Sequence, residues 1–216
     1  MPEINMEMHM KQEAENKIRS FQELNRFVVP GQIVMAGSSL MEQFPINELM
    51  MSAGISGIVY NRGIGGYTTA QYMSVLDTCV LDLKPRKLFI NIGTNDIGAT
   101  ENWQETLIRN YREILQRIRS ELPECQIYVL AFYPVANMEK PFMPPNAFEP
   151  RTLDKVQRAN ELVKAMAEQM DIPFLNVNQA VEDDDGFMRM EFAKDPVHMW
   201  PHAYAEILKE LKPYLN

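Results

Sequence analysis

Five short apolar runs alternate with stretches whose apolar residues recur every three or four positions, and this alternation restricts the folds open to the chain. The runs cover residues 33–37, 58–61, 87–92, 126–133 and 172–177. Several are apolar nearly throughout, as parallel strands covered on both faces require. Between them, Tyr72, Val75, Leu76, Cys79 and Leu83 form one helical stripe, and Leu107, Tyr111, Ile114, Leu115, Ile118 and Leu122 a second. Val156, Ala159, Val163, Met166 and Met170 form a third. Pro201 followed by Ala203, Ile207, Leu208 and Leu211 fits a last helix with proline in its first turn. The pattern predicts a three-layer α/β/α sandwich around a five-stranded parallel sheet. In such sheets ligands bind beyond the carboxyl ends of the strands.

A chain of 216 residues is long enough to bury one substantial core. Its net charge of -8 argues against a nucleic-acid partner, which needs clustered cations, and disfavours an anionic membrane surface. Residues 1–5 show no cationic segment leading into an apolar one, and no run is long enough to span a bilayer. The expectation is a cytoplasmic protein, without stable membrane insertion, acting on a small molecule. Cys79 and Cys125 lie on apolar patterns and read as two buried, reduced thiols. Residues 3–26 read as an added helix, amphipathic through Ala14, Ile18, Phe21 and Leu24, that either caps its own domain or pairs with a second subunit in a homo-oligomer. Residues 134–150, rich in Pro, Met and Phe without a period, read as a pocket wall or lid.

The chemistry concentrates in Gly37-Ser38-Ser39-Leu40 and Asp195-Pro196-Val197-His198. Ser39 follows the first apolar run, where a strand-end turn would present its hydroxyl. His198, one of three histidines, can accept the hydroxyl proton as a neutral imidazole, and Asp195 can hold the other ring nitrogen. Gly66 (backbone N–H), Asn95 (side-chain amide) and the Ser39 N–H are candidate donors to an oxyanion. Taken singly, each has a structural reading: Ser39 as a helix cap, Asp195 and Asn95–Asp96 as turn formers, residues 63–66 as a tight turn. His198 and His202, four apart with Asp195 nearby, have a spacing open to zinc, but no His-Glu-x-x-His pattern accompanies them. The run Glu182-Asp183-Asp184-Asp185-Gly186 lacks the alternating ligands of a calcium loop and reads as a solvated turn. Arg62, Tyr133, Phe142 and Trp200 are candidate pocket liners.

In this order and spacing, the blocks resemble those of the SGNH (GDSL) hydrolase family from about Ile33 to the C-terminus. The resemblance implies a flavodoxin-like fold, with residues 1–26 as an extension and 27–216 as a single hydrolase domain. It implies Ser39 as nucleophile, Asp195 and His198 as its partners, and Gly66 and Asn95 as the oxyanion hole. No cofactor and no metal are implied. Ser38 stands where the family carries aspartate, a difference that touches local hydrogen bonding rather than the mechanism. The expected activity is serine esterase action on short-chain carboxylic esters, such as O-acetyl groups of carbohydrates or small molecules. Lysophospholipase or thioesterase action on longer chains, and a non-catalytic binding protein on the same scaffold, are the alternatives.

Overall fold

The computed structural model describes residues 6–137 and 150–215. Within them the five apolar runs become five parallel strands: β1 (Ile33–Gly37), β2 (Val59–Gly63), β3 (Lys87–Asn91), β4 (Gln126–Leu130) and β5 (Phe174–Leu175). They are ordered β2-β1-β3-β4-β5. The chain steps to one side of β1 and then crosses to the other, so the carboxyl end of β1 is the point of reversal where such sheets open a crevice. All of β1 is buried, as are the last four residues of β3 and of β4, which is why these segments read as unbroken apolar runs.

Among the described residues eight α-helices connect and cover the strands: α1 (Met6–Leu24), α2 (Ser39–Glu42), α3 (Ile46–Ser52), α4 (Thr69–Ser74), α5 (Leu76–Cys79), α6 (Trp103–Glu121), α7 (Leu153–Gln169) and α8 (Pro201–Leu211). α6 packs against α4 and α7, while α8 packs against α3; with the sheet they form the expected three layers. The apolar stripes of α6, α7 and α8 are buried except for Leu122 and Met170, which lie just past the ends of α6 and α7 and are partly buried, and Pro201 opens α8. The helix pair α2–α3 between the first two strands has no counterpart in the sequence reading.

Three details depart from expectation. The stripe from Tyr72 to Leu83 is not one helix: it breaks at Val75 (φ -117°) and again at Val80 (φ -135°), yet Tyr72, Leu76, Cys79 and Leu83 are all buried. Strand β4 stops at Leu130, because β5 offers only two residues to pair with and the Phe132 N–H turns to the Asn160 Oδ1 at 2.7 Å. In α1, Ala14, Ile18 and Phe21 pack on the core, whereas Leu24 is exposed. The helix therefore caps its own domain. Cys79 is buried and Cys125 partly so; both are unpaired, and burial pushes each thiol up to about 12. Among the described residues no helix is long and apolar enough to cross a membrane. Most of the loop expected at 134–150 lies outside the described residues, and Phe142 with it.

The end of β1 is crowded by design of its neighbours. Gly37 is paired in register with Gly63 on one side and Asn91 on the other. A β-carbon on Gly63 would stand 2.2 Å from the Glu42 backbone nitrogen, so the helix that follows β1 can lie on β2 only over a glycine. Gly63→Ala should lower unfolding stability by about 2 kcal/mol or more. A denaturant midpoint that falls at unchanged m-value checks it.

Candidate active site

At the point of reversal, β1 hands over to α2 through Ser38. The Ser38 N–H still bonds across to the Asn91 carbonyl at 3.3 Å, and its own carbonyl accepts from Met41 and Glu42 at 3.1 and 2.9 Å. Ser39 is thus the first residue of α2, with its N–H ahead of the first intrahelical bond and its side chain partly exposed. The Ser38 hydroxyl, at the position where the resembled family carries aspartate, is fully buried, has no hydrogen-bond partner among the described residues, and makes no cap bond to α2.

The second block folds into a closed loop before α8. Lys194 N–H donates to the His198 carbonyl at 2.9 Å, and Ala136 N–H to the Pro196 carbonyl at 2.9 Å. Inside the loop one Asp195 carboxylate oxygen accepts the backbone N–H groups of Val197 and His198, at 2.9 and 2.8 Å. The other lies 2.7 Å from His198 Nδ1. Since a carboxylate only accepts, Nδ1 carries the hydrogen and Nε2 presents its lone pair. That nitrogen is 2.8 Å from the Ser39 Oγ, across 159 residues of sequence. A continuous hydrogen-bonded line therefore runs from carboxylate through imidazole to hydroxyl. Tyr204 of α8 fixes the two halves together: its hydroxyl donates to the Leu40 carbonyl at 2.8 Å, and its ring lies 4.8 Å from that of Phe44.

On the opposite side of Ser39 is the turn from Ile64 to Tyr67, closed by Tyr67 N–H on the Ile64 carbonyl at 3.4 Å. Gly66 has φ +76°, as the third position of a type II turn demands. Ile64 N–H bonds to the Gly37 carbonyl and Gly65 N–H to the Glu42 carboxylate. The Gly66 N–H is the one in this turn with no hydrogen-bond partner among the described residues. Asn95 gives one amide hydrogen to the Tyr67 carbonyl at 3.0 Å, and its Oδ1 accepts from Arg151 at 3.2 Å. The amide orientation is thereby fixed with one hydrogen left over. The loop carrying Asn95 is held by Asp96, whose buried carboxylate accepts the Thr69 N–H and hydroxyl at 2.8 and 2.5 Å. Burial raises the Asp96 carboxyl, and the Thr69 bonds partly oppose this.

Ser39, Asp195 and His198 are thus brought together, and Gly66 and Asn95 share the Tyr67 turn beside them. The zinc-like spacing does not converge: His202 Nε2 bonds the Glu191 carbonyl at 2.9 Å, away from His198. Among the described residues no cluster of three His, Cys, Asp or Glu side chains could hold a metal. The acidic run is a turn in which Asp183 Oδ1 accepts from Asp185 and Phe187 at 3.0 and 2.9 Å. Arg62 is buried, with its guanidinium over the Phe21 ring and bonded to Asn25 at 3.1 Å. Tyr133 is buried, and Trp200 is exposed. Glu42, Arg151 and Tyr204 escaped the sequence reading. Only Glu42, one helical turn after Ser39, left a signal in spacing.

Burial works to raise the Asp195 carboxyl, but the His198 imidazole and the two backbone N–H groups outweigh it and hold it below the ordinary carboxylate range. A depressed carboxyl stabilises the fold above its unfolded value near about 3.9 and loses that contribution as pH falls through the folded value. The stability difference between the parent and Asp195→Asn should therefore shrink on acidification below about pH 4, as thermal midpoints across a pH series would record.

Comparison with known proteins agrees with this arrangement. A profile described as the GDSL-like lipase/acylhydrolase family matches residues 48–206, starting beyond Ser39. The human platelet-activating factor acetylhydrolase IB subunit alpha2 is 25% identical over 215 residues, covering 94% of this chain and 86% of that protein. A solved structure from Streptococcus pneumonia, provisionally described as a platelet activating factor, is 30% identical with a TM-score of 0.88, covering 98% of this chain and 96% of that one. A GDSL-like lipase from Bacteroides thetaiotaomicron shares the fold at 20% identity and a TM-score of 0.75, covering 92% and 96% of the two chains. The chain belongs to the GDSL-like lipase/acylhydrolase family and is a carboxylic ester hydrolase.

Proposed function

We propose that the chain hydrolyses short acyl esters, acetyl esters first, through an acyl-enzyme on Ser39. The observation that carries this reading is the 2.8 Å contact between His198 Nε2 and the Ser39 Oγ, with Asp195 2.7 Å behind the imidazole. His198 takes the Ser39 proton as Oγ attacks the ester carbonyl carbon. The carbonyl oxygen becomes an oxyanion held by the Ser39 N–H, the Gly66 N–H and the remaining Asn95 amide hydrogen. The C–O bond to the alcohol then breaks, and His198 protonates the leaving oxygen. Water, deprotonated by the same imidazole, attacks the acyl-enzyme and releases the carboxylic acid and free Ser39.

The acyl preference rests on kinship. Relatives with a curated name are called acetylhydrolases. For the alcohol part we favour an O-acetylated sugar or similar small molecule, in keeping with the acidic chain of net charge -8. Two unpaired thiols fit a reducing, cytoplasmic setting. The rival, a longer acyl chain, draws on the exposed Met10, whose methyl group would lie 3.6 Å from a β-carbon on Gly66, and on the exposed Trp200.

A fluorophosphonate should label Ser39 and no other serine; folded, unlabelled protein would refute the reading. Asn95→Ala should lower kcat on nitrophenyl acetate by on the order of a hundred-fold. In an acyl-length series, kcat/KM should fall by about ten-fold or more between acetate and octanoate. A rise along that series would favour the long-chain rival instead.

A further inference from the structure

The segment ahead of the first strand reaches the oxyanion side of the site through two side chains. Glu42 closes α2, one turn beyond Ser39. One of its carboxylate oxygens accepts the Gly65 N–H, and the other is paired with Lys17 Nζ of α1. Both side chains are about two-thirds covered, at 32% and 30% exposure, so the pair is shielded from full solvent screening. Burial also holds the Lys17 ammonium below its ordinary value, with Glu13 partly opposing this. A β-carbon placed on Gly65 would lie 2.7 Å from Glu42 Oε2 and 3.8 Å from the Ser39 Cβ. Carboxylate and nucleophile are therefore separated by a single glycine.

That position sets two requirements against each other. Because Glu42 takes the Gly65 N–H, the turn is fixed with the Gly66 N–H left over as a donor. The same carboxylate, however, sits beside the place where negative charge develops, and like charges a few ångströms apart repel. A counter-charge on the far carboxylate oxygen removes the repulsion without disturbing the hydrogen bond.

We propose that Glu42 and Lys17 are positioning residues for ester hydrolysis: Glu42 orients the oxyanion turn through the Gly65 N–H, and Lys17 of the N-terminal helix cancels the charge that Glu42 brings there. The proposal rests on the reading of Ser39 as nucleophile and Gly66 as donor. It makes α1, which precedes the residues matched by the family profile, a working part of the site.

The test is a four-protein cycle on nitrophenyl acetate: parent, Lys17→Met, Glu42→Gln and the double variant. Lys17→Met exposes the carboxylate, so kcat should drop by about ten-fold or more while KM stays within roughly two-fold. Glu42→Gln retains an acceptor oxygen for the Gly65 N–H and should lose less. The double variant should recover to the Glu42→Gln level, although neither member of the ion pair remains. Lys17→Arg should match the parent. A purely structural pair would leave the double variant at least as impaired as Lys17→Met, and that result overturns the proposal, as does a normal kcat in Lys17→Met. Fluorophosphonate labelling of Ser39, measured on all four, separates the causes. A parent that fails to label defeats the nucleophile assignment itself, whereas a labelled parent with no recovery in the double variant defeats only this inference. Should Lys17→Met fold poorly, Glu42→Ala against Glu42→Gln replaces it: loss with alanine and retention with glutamine supports the turn-holding role, and equal rates overturn it.

Discussion

A hydroxyl near one end of the chain and an imidazole near the other must meet within 2.8 Å, and most of the architecture can be understood as the means of keeping them there. The sheet supplies the coarse placement, because the reversal of strand order at β1 sends its carboxyl end into the crevice. Fine placement comes from polar contacts on both sides. One Asp195 carboxylate oxygen is held by two backbone N–H groups of its own loop, which leaves the other for the imidazole. The Tyr204 hydroxyl then ties the helix leaving His198 to the backbone of Leu40, beside Ser39. Each bond is worth little alone, yet together they leave neither side chain free to wander, which is the geometric condition for proton transfer.

The side of the site that carries Gly66 and Asn95 is organised by the same logic of fixed bonds. Asp96 reaches 27 residues back to Thr69, and Asn110 donates to the Thr69 hydroxyl at 3.0 Å, so the Asn95 loop is anchored to α4 by a buried polar network. In a low-dielectric setting such a network is rigid when satisfied and costly when broken. It fixes where the Asn95 amide stands, and the Tyr67 carbonyl and Arg151 fix how it is turned.

What could be read from the residues alone follows from what is local. Apolar runs report two-sided burial, so β1, β3 and β4 were legible to within a few residues. The Asp-x-x-His loop was legible because its members lie three apart. The N-terminal helix was also visible, but not its docking, since Leu24 belongs to the apolar stripe and yet faces out. The breaks at Val75 and Val80 were invisible: burial of Tyr72, Leu76, Cys79 and Leu83 is compatible with one helix or with three short turns. The α2–α3 pair was hidden because its contacts, Asn61 Nδ2 to the Met41 and Phe44 carbonyls at 2.6 and 3.1 Å, are tertiary. Lys17 and Arg151 carry no local pattern at all. Their meaning lies entirely in partners far along the chain.

Both of these cations have partners among the groups that flank Ser39. Arg151 acts on the Asn95 carbonyl oxygen, and Lys17 on the far side of the Glu42 carboxylate. On the proposed mechanism this indirectness has a chemical advantage. The product is itself a carboxylate, and a bare ammonium or guanidinium beside Ser39 would hold it as firmly as it held the transition state. Neutral N–H dipoles discriminate better, because their attraction is short-ranged and depends on direction, and the tetrahedral oxyanion meets it more closely than a departing planar acid does. Cations placed one bond further out then strengthen or unmask those dipoles without offering the product a charge to bind. An acidic chain of net charge -8 adds to the same effect by repelling the released anion.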